Sequence, residues 1–136
     1  MKIQYWEGGS KCFLQLINDE ARVVSSVVID LKCDEYPRYK EYCNGEKIAK
    51  IIRVETNPNH VGKGYASKLI KYAIKKLNDY NLVLLCSPCK RWEETDTLKT
   101  VSDLQMFYSK FGFVKTNELL PTMVKQAKYK YESKSN

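Results

Sequence analysis

The stretch NPNHVGKGYASKLIKYAIKKL, residues 57–77, decides the fold. It sets Gly62 and Gly64, two of only 6 glycines, one residue apart directly before a strongly patterned segment. From Gly64 onward Ala66, Leu69, Ile70, Ala73 and Leu77 share one helical face, while Lys68, Lys71, Lys75 and Asn78 share the other. The spacing predicts a helix over 64–79, packed on a sheet. Upstream, residues 47–56 (KIAKIIRVET) read as a strand that Pro58 ends, with Asn57 pushed to an extended conformation. Downstream, residues 81–86 (NLVLLC) have the short, continuous apolar character of a strand covered on both faces. Strand, glycine turn, helix and buried strand together predict a right-handed parallel βαβ unit.

Such a turn has a chemical use. The first N–H groups of a helix lack intrahelical acceptors and carry the positive end of its dipole. Glycines at 62 and 64 let those amides converge without Cβ atoms in the way, forming a nest that fits a pyrophosphate, and Lys63 adds a charge. A tight strand-to-helix turn without a ligand would use the same glycines, so the stretch alone leaves both readings open.

Working outward, residues 12–17 and 22–31 are rich in apolar and β-branched side chains around Asn18-Asp19-Glu20-Ala21, and predict an antiparallel hairpin. Residues 33–45 break the pattern with Pro37 and Gly45 and cluster Tyr36, Tyr39 and Tyr42, which gives a loop or a short helix. After the buried strand comes a polar stretch, Pro88 to Lys99, long enough for a substrate loop. Thr100 to Asp103 has a capping pattern, and Leu104, Phe107, Tyr108 and Phe111 continue at helical spacing until Gly112. Residues 113–116 and 122–130 read as two last strands, with Pro121 between them. The expectation is a single α/β domain over 1–136 built on a mixed sheet, without internal repeats.

Composition narrows the class. At 136 residues, with 43% hydrophobic and 29% charged residues, the balance is that of a soluble globular domain. No apolar run approaches the roughly 20 residues of a membrane span, and MKIQYWEGGS lacks the apolar core of a secretory signal, so the cytoplasm is the expected compartment. The net charge of +7 attracts anions without choosing among them. The lysines of the 64–79 helix have the bland reading of a solvated face. The tail interleaves Lys128 and Lys130 with Tyr129 and Tyr131, which also describes a fraying edge strand, so nucleic-acid binding is not favoured.

The five cysteines, an odd number, argue for reduced thiols. Cys86 and Cys89 have CxxC spacing, but Cys33, Cys43 and the sole histidine, His60, are irregularly placed as further ligands, so no metal is expected. Cys86 closes an apolar run and reads as a core residue.

A second motif gives the glycine turn its meaning. FYSKFGF at 107–113, taken with NPNHVGKGYASKLI at 57–70, resembles the GNAT superfamily of acetyl-CoA-dependent N-acetyltransferases from about residue 48 to 113. The resemblance implies an acyl-CoA N-acyltransferase fold, here with a reduced N-terminal helical region in whose place residues 33–45 stand. It implies that Val61, Gly62, Lys63, Gly64, Tyr65 and Ala66 form the pyrophosphate cradle of acetyl-CoA. It further implies that a backbone amide near Val54, Glu55 or Thr56 polarises the acetyl carbonyl, and that Tyr108 protonates the departing thiolate. The acceptor would be a primary amine. Two positions depart from the family pattern: Val61 stands where arginine or glutamine is usual, and Val101 where asparagine is frequent. The residues themselves leave the base open among Glu55, Glu46, the polar-stretch acids Glu93, Glu94 and Asp96, and water. His60, in the turn before the cradle, reads as an exposed cap or a cofactor contact. A relative that binds acyl-CoA without turnover and a basic nucleic-acid-binding module are the alternatives.

Overall fold

The computed structural model describes residues 1–87 and 100–129. Its strands are β1 (Lys2–Gly8), β2 (Lys11–Ile17), β3 (Val23–Asp30), β4 (Ile48–Thr56), β5 (Asn81–Leu85), β6 (Val114–Lys115) and β7 (Thr122–Lys125). They form one seven-stranded sheet in the order β1-β2-β3-β4-β5-β7-β6. Only β4 and β5 pair in parallel; every other neighbour is antiparallel. The helices are α1 (Tyr36–Tyr39), α2 (Tyr65–Lys76) and α3 (Val101–Ser109). The mixed sheet and the parallel βαβ unit are as the sequence predicts.

The N-terminal half is a meander made by local chemistry. The β2–β3 turn is clamped by Asn18, whose Oδ1 accepts from the amides of Glu20 and Arg22, both at 3.0 Å. Strand β1 was not foreseen. Its alternation runs only from Lys2 to Tyr5 before Trp6 and Glu7 break it, and it becomes a strand by pairing along its whole length with β2 through a turn at Gly9, φ +63°. That turn is too tight to hold helices between β1 and β2. The short α1 and a 3₁₀ turn at Lys40–Tyr42 instead lie between β3 and β4. Arg38 anchors α1 to the β6–β7 connection with two 2.8 Å bonds to Glu118, and the Tyr42 hydroxyl accepts from the Asn117 amide at 2.9 Å. The predicted last strand is also shorter than expected, stopping at Lys125. It lies inside the sheet between β5 and β6, so the edge-strand reading of the tail is corrected for residues 126–129. Lys130 and Tyr131 lie outside the described residues.

Two apolar clusters sandwich the sheet. On the α2 side, Leu69, Ile70 and Ala73 of the helix pack on Leu14, Leu16, Val27, Ile29, Ala49, Ile51 and Leu84, all buried. This is the apolar stripe read from the sequence. On the other side Tyr39 covers Ile48, Val83 and Val124. Strand β5 is thereby covered on both faces.

The base of β5 is held by a buried amide that the sequence did not advertise. Asn81 is fully buried, and its Oδ1 accepts from the amides of Asn44 (2.8 Å) and Ala127 (2.9 Å). Its Nδ2 donates to the carbonyls of Asn44 (3.1 Å) and Lys47 (3.0 Å). One side chain thus satisfies backbone groups from two distant segments, which would otherwise be buried unpaired. Asn81→Ala should lower stability by about 2–4 kcal/mol, the scale of several stranded buried polar groups. Urea denaturation checks this; a loss under about 1 kcal/mol would show that water replaces the amide.

Candidate active site

Strands β4 and β5 pair over only four positions, from Ile48 with Asn81 to Ile51 with Leu84. The next residue breaks the sheet's regularity. Val28 of β3 faces Arg53 and Ile29 faces Ile51, so Ile52 is an extra residue, a bulge that bends β4. Beyond it β4 keeps β3 as its strand partner while β5 stops at Leu85, and the two parallel strands part. A cleft of about 780 Å³ opens there.

The walls of the cleft collect most of the predicted residues. Val54, Glu55 and Thr56 line it from β4; Val61, Gly62, Gly64, Tyr65 and Ala66 line it from the turn and α2; Tyr108 lines it from α3. Lys63 is exposed at the turn and is not part of the lining. Gly62 and Gly64 have φ of +79° and +77°, in the left-handed region that favours glycine. A Cβ built on either meets no atom within 4 Å. Their requirement is therefore backbone conformation beside open space, rather than close packing within the protein.

The α2 terminus is left with donors to offer. Its first internal bond runs from the Lys68 amide to the Gly64 carbonyl at 3.1 Å, so the Tyr65, Ala66 and Ser67 amides precede any intrahelical acceptor. No side chain caps this end, and the first turn carries no acidic residue. Unsatisfied donors, a positive dipole end and open space suit an anion. The turn before the helix is fixed by Asn57, whose side chain accepts from the Asn59 amide at 3.0 Å. Val61 is half-buried in the cleft wall, to which it adds an aliphatic group. Val101 is the first residue of α3.

Tyr108 joins packing and cleft in one side chain. It is 6% exposed, with edge-on ring contacts to Phe107 at 5.1 Å and Phe113 at 5.7 Å, and it also borders the cleft. The α3 helix that presents it starts with a complete capping box: the Thr100 hydroxyl accepts from the Asp103 amide at 3.0 Å, and Asp103 accepts from the Thr100 amide at 3.1 Å.

The base candidates separate. Glu55 lines the cleft beside Arg53, 3.6 Å from its Nε. Counting by twos from Val54 puts Glu46 on the same face, but the bulge corrects that parity. Ala49, Ile51 and Val54 all pack in the α2-side core, so the face changes at Ile52, and Glu46 itself lies before β4 in an exposed bend where strand parity does not apply. Glu93, Glu94, Asp96 and Cys89 lie outside the described residues. His60 is half-buried in a 3₁₀ turn, Pro58–His60, rather than exposed. Its ring centroid is 6.0 Å from that of Tyr65, and its Nδ1 is enclosed without a hydrogen-bond partner.

Some lining residues escaped sequence reasoning. Ile52 and Leu85, 46% and 41% exposed, place aliphatic groups at the cleft where β4 and β5 part. Strand alternation gives no signal for an exposed isoleucine that owes its position to a bulge. Among the described residues no group of three or more His, Cys, Asp or Glu could hold a metal ion. No helix among them is long and apolar enough to cross a membrane.

Known proteins place this geometry. The model of the Acetyltransferase (GNAT) family matches residues 2–113. Among solved structures, Arabidopsis thaliana NAA60 in complex with a bisubstrate analogue is similar at TM-score 0.61 and 10% identity, over 86% of this chain and 75% of that one. The Bacillus subtilis N-acetyltransferase YlbP in complex with coenzyme A is similar at TM-score 0.56 and 13% identity, over 82% of this chain and 65% of that one. A Corynebacterium glutamicum structure described as histone acetyltransferase HPA2 and related acetyltransferase gives TM-score 0.57 and 15% identity, over 85% of this chain and 62% of that one. The chain thus spans less than two thirds of the length of the last two. At these identities the likeness is one of fold. No curated protein matches the sequence.

Cys86 is fully buried, and burial pushes its thiol up to about 11, which keeps it protonated and inert. Alkylation by iodoacetamide, mapped by peptide mass, should modify half-buried Cys33 in the native protein and reach Cys86 only at the rate of unfolding. Native Cys86 reacting as fast as Cys33 would contradict a core role.

Proposed function

Because the chain belongs to the GNAT acetyltransferase family, we propose that it transfers an acetyl group from acetyl-CoA to a primary amine. One observation carries this reading: the uncapped α2 terminus, the β4 edge beyond Ile51 and Tyr108 border a single cleft. Acetyl-CoA supplies the acyl group activated as a thioester. The Tyr65, Ala66 and Ser67 amides hold its pyrophosphate at the α2 dipole, with Lys63 adding positive charge at the turn. The β4 segment Val54 to Thr56 offers a backbone N–H toward the acyl carbonyl, stabilising the negative charge that develops on that oxygen during attack.

The protein's other task is proton movement. Tyr108 borders the cleft from a helix that starts with a capping box, and its hydroxyl donates a proton to the leaving sulfur. The amine must lose a proton. Glu55 is the one carboxylate among the described lining residues, and it takes that proton directly or through water. Arg53 Nε lies 3.6 Å from Glu55 Oε1.

Calorimetry with acetyl-CoA, followed by free-thiol detection across a panel of amines, tests the reading. Saturable binding and amine-dependent CoA release are expected. Absence of binding at low salt removes it, and binding without release leaves an acyl-CoA-binding protein.

Two substitutions separate cradle from catalyst. Gly64→Val forces a β-branched residue to φ +77° and fills the space before the helix amides. It should raise the Kd for acetyl-CoA by about tenfold or more while costing about 1–3 kcal/mol of stability. Tyr108→Phe should leave that Kd nearly unchanged and lower turnover at saturating acetyl-CoA by roughly 10- to 10⁴-fold. An unaltered rate would reduce Tyr108 to its packing role.

A further inference from the structure

A second concavity, of about 360 Å³, lies at the other end of α2 and shares no lining residue with the cleft. Two separate parts of the chain bring cations to it. Lys71 and Lys75 come from α2, one turn apart, and Lys125 and Lys128 come from the end of β7 and the residues after it. Its lining among the described residues contains four lysines and no carboxylate. The nearby Asp79 is engaged elsewhere, with its Oδ2 3.0 Å from Lys47 Nζ. Helix α2 cannot neutralise its own charge, because residues 65–76 include four lysines and no acidic residue. Lys75 and Lys76 are favoured by the dipole at the last turn, whereas Lys71 sits a turn earlier, where like charges four apart repel.

A solvated helix face would explain the α2 lysines alone. It does not explain why a second element adds two more around the same hollow, where a shared wall focuses the field. The hollow is also not wholly polar. Ile74, Leu77 and Leu82 contribute apolar surface, and the Tyr80 ring lines it with Lys47 Nζ 4.3 Å from its centroid. Asn78 and Gln126 add amides. The volume falls within the about 300–1,000 Å³ of small-molecule sites. A polymer groove would need an extended track with interleaved aromatics or arginines, and no arginine among the described residues lines this one.

We infer that this groove binds an organic polyphosphate of nucleotide size, with the phosphates among Lys71, Lys75, Lys125 and Lys128 and the organic body against Tyr80 and the apolar floor. The site is separate from the cleft and does not depend on the activity proposed for it.

The probes are guanosine triphosphate, inorganic tripolyphosphate and a single-stranded RNA, titrated into ¹⁵N-labelled protein at about 100 mM salt, where long-range attraction is screened. Guanosine triphosphate should bind saturably, shift amides of residues 71–82 and 125–128, and bind more tightly than tripolyphosphate. Lys71→Glu/Lys125→Glu should weaken it about tenfold or more, while Lys2→Glu/Lys11→Glu, an equal change in net charge on β1 and β2, should alter it less than about twofold. Circular dichroism and Tm establish that both variants fold. Shifts confined to residues 61–67, equal effects of the two double variants, or no saturation would overturn the inference. Equal affinity for tripolyphosphate would reject the organic body, and tighter binding of RNA with a steep salt dependence would give the surface to nucleic acid instead.

Discussion

The brevity of one strand pairing organises this molecule. Strands β4 and β5 run in parallel for four residue pairs and then separate at the Ile52 bulge. A longer ladder would close the cleft, and a shorter one would leave α2 without a continuous surface to cross. The buried set Ala49, Ile51, Leu82 and Leu84 lies under the helix, on the paired part of the strands. The unpaired part supplies the wall. The same two strands thus provide a rigid floor at one end and exposed main chain at the other, and the crossover that connects them delivers its helix terminus to the opening.

What the sequence shows well is what local periodicity encodes. The shift from period two to 3.6 at Gly64 marked the βαβ unit within a few residues, because the α2 stripe and the doubly buried β5 leave strong patterns. Thr100 and Asp103 announced their own capping box. The rest depends on partners. Strand β1 exists through its pairing with β2, since its alternation is short and, among the described residues, its outer edge has no strand neighbour. Asn81 reads as one polar residue opening an apolar run, and its role appears only when residues 44 and 127 arrive beside it.

The candidate site shows the same division. Gly62 and Gly64 were legible because positive φ selects glycine, although the reason proves to be conformation next to open space. Glu46 lies outside β4 in an exposed bend, and the Ile52 bulge changes strand parity beyond it without marking the sequence. His60 was read as exposed because turns usually are, yet the Tyr65 ring helps to enclose it. Tyr108 carries two readings at once, since a residue that packs edge-on against Phe107 and Phe113 can still present part of its side chain to the cleft.

The Asn81 amide has a consequence for the order of assembly. Strands β1 to β3 follow one another through tight turns and can pair early, since loop closure over a few residues costs little entropy. Asn81, by contrast, joins residues 37 and 46 positions away in the chain. Its bonds require β4, α2 and the segment reaching Ala127 to have converged, so closure of this seam at the base of β5 depends on long-range contacts, unlike the local turns of the meander.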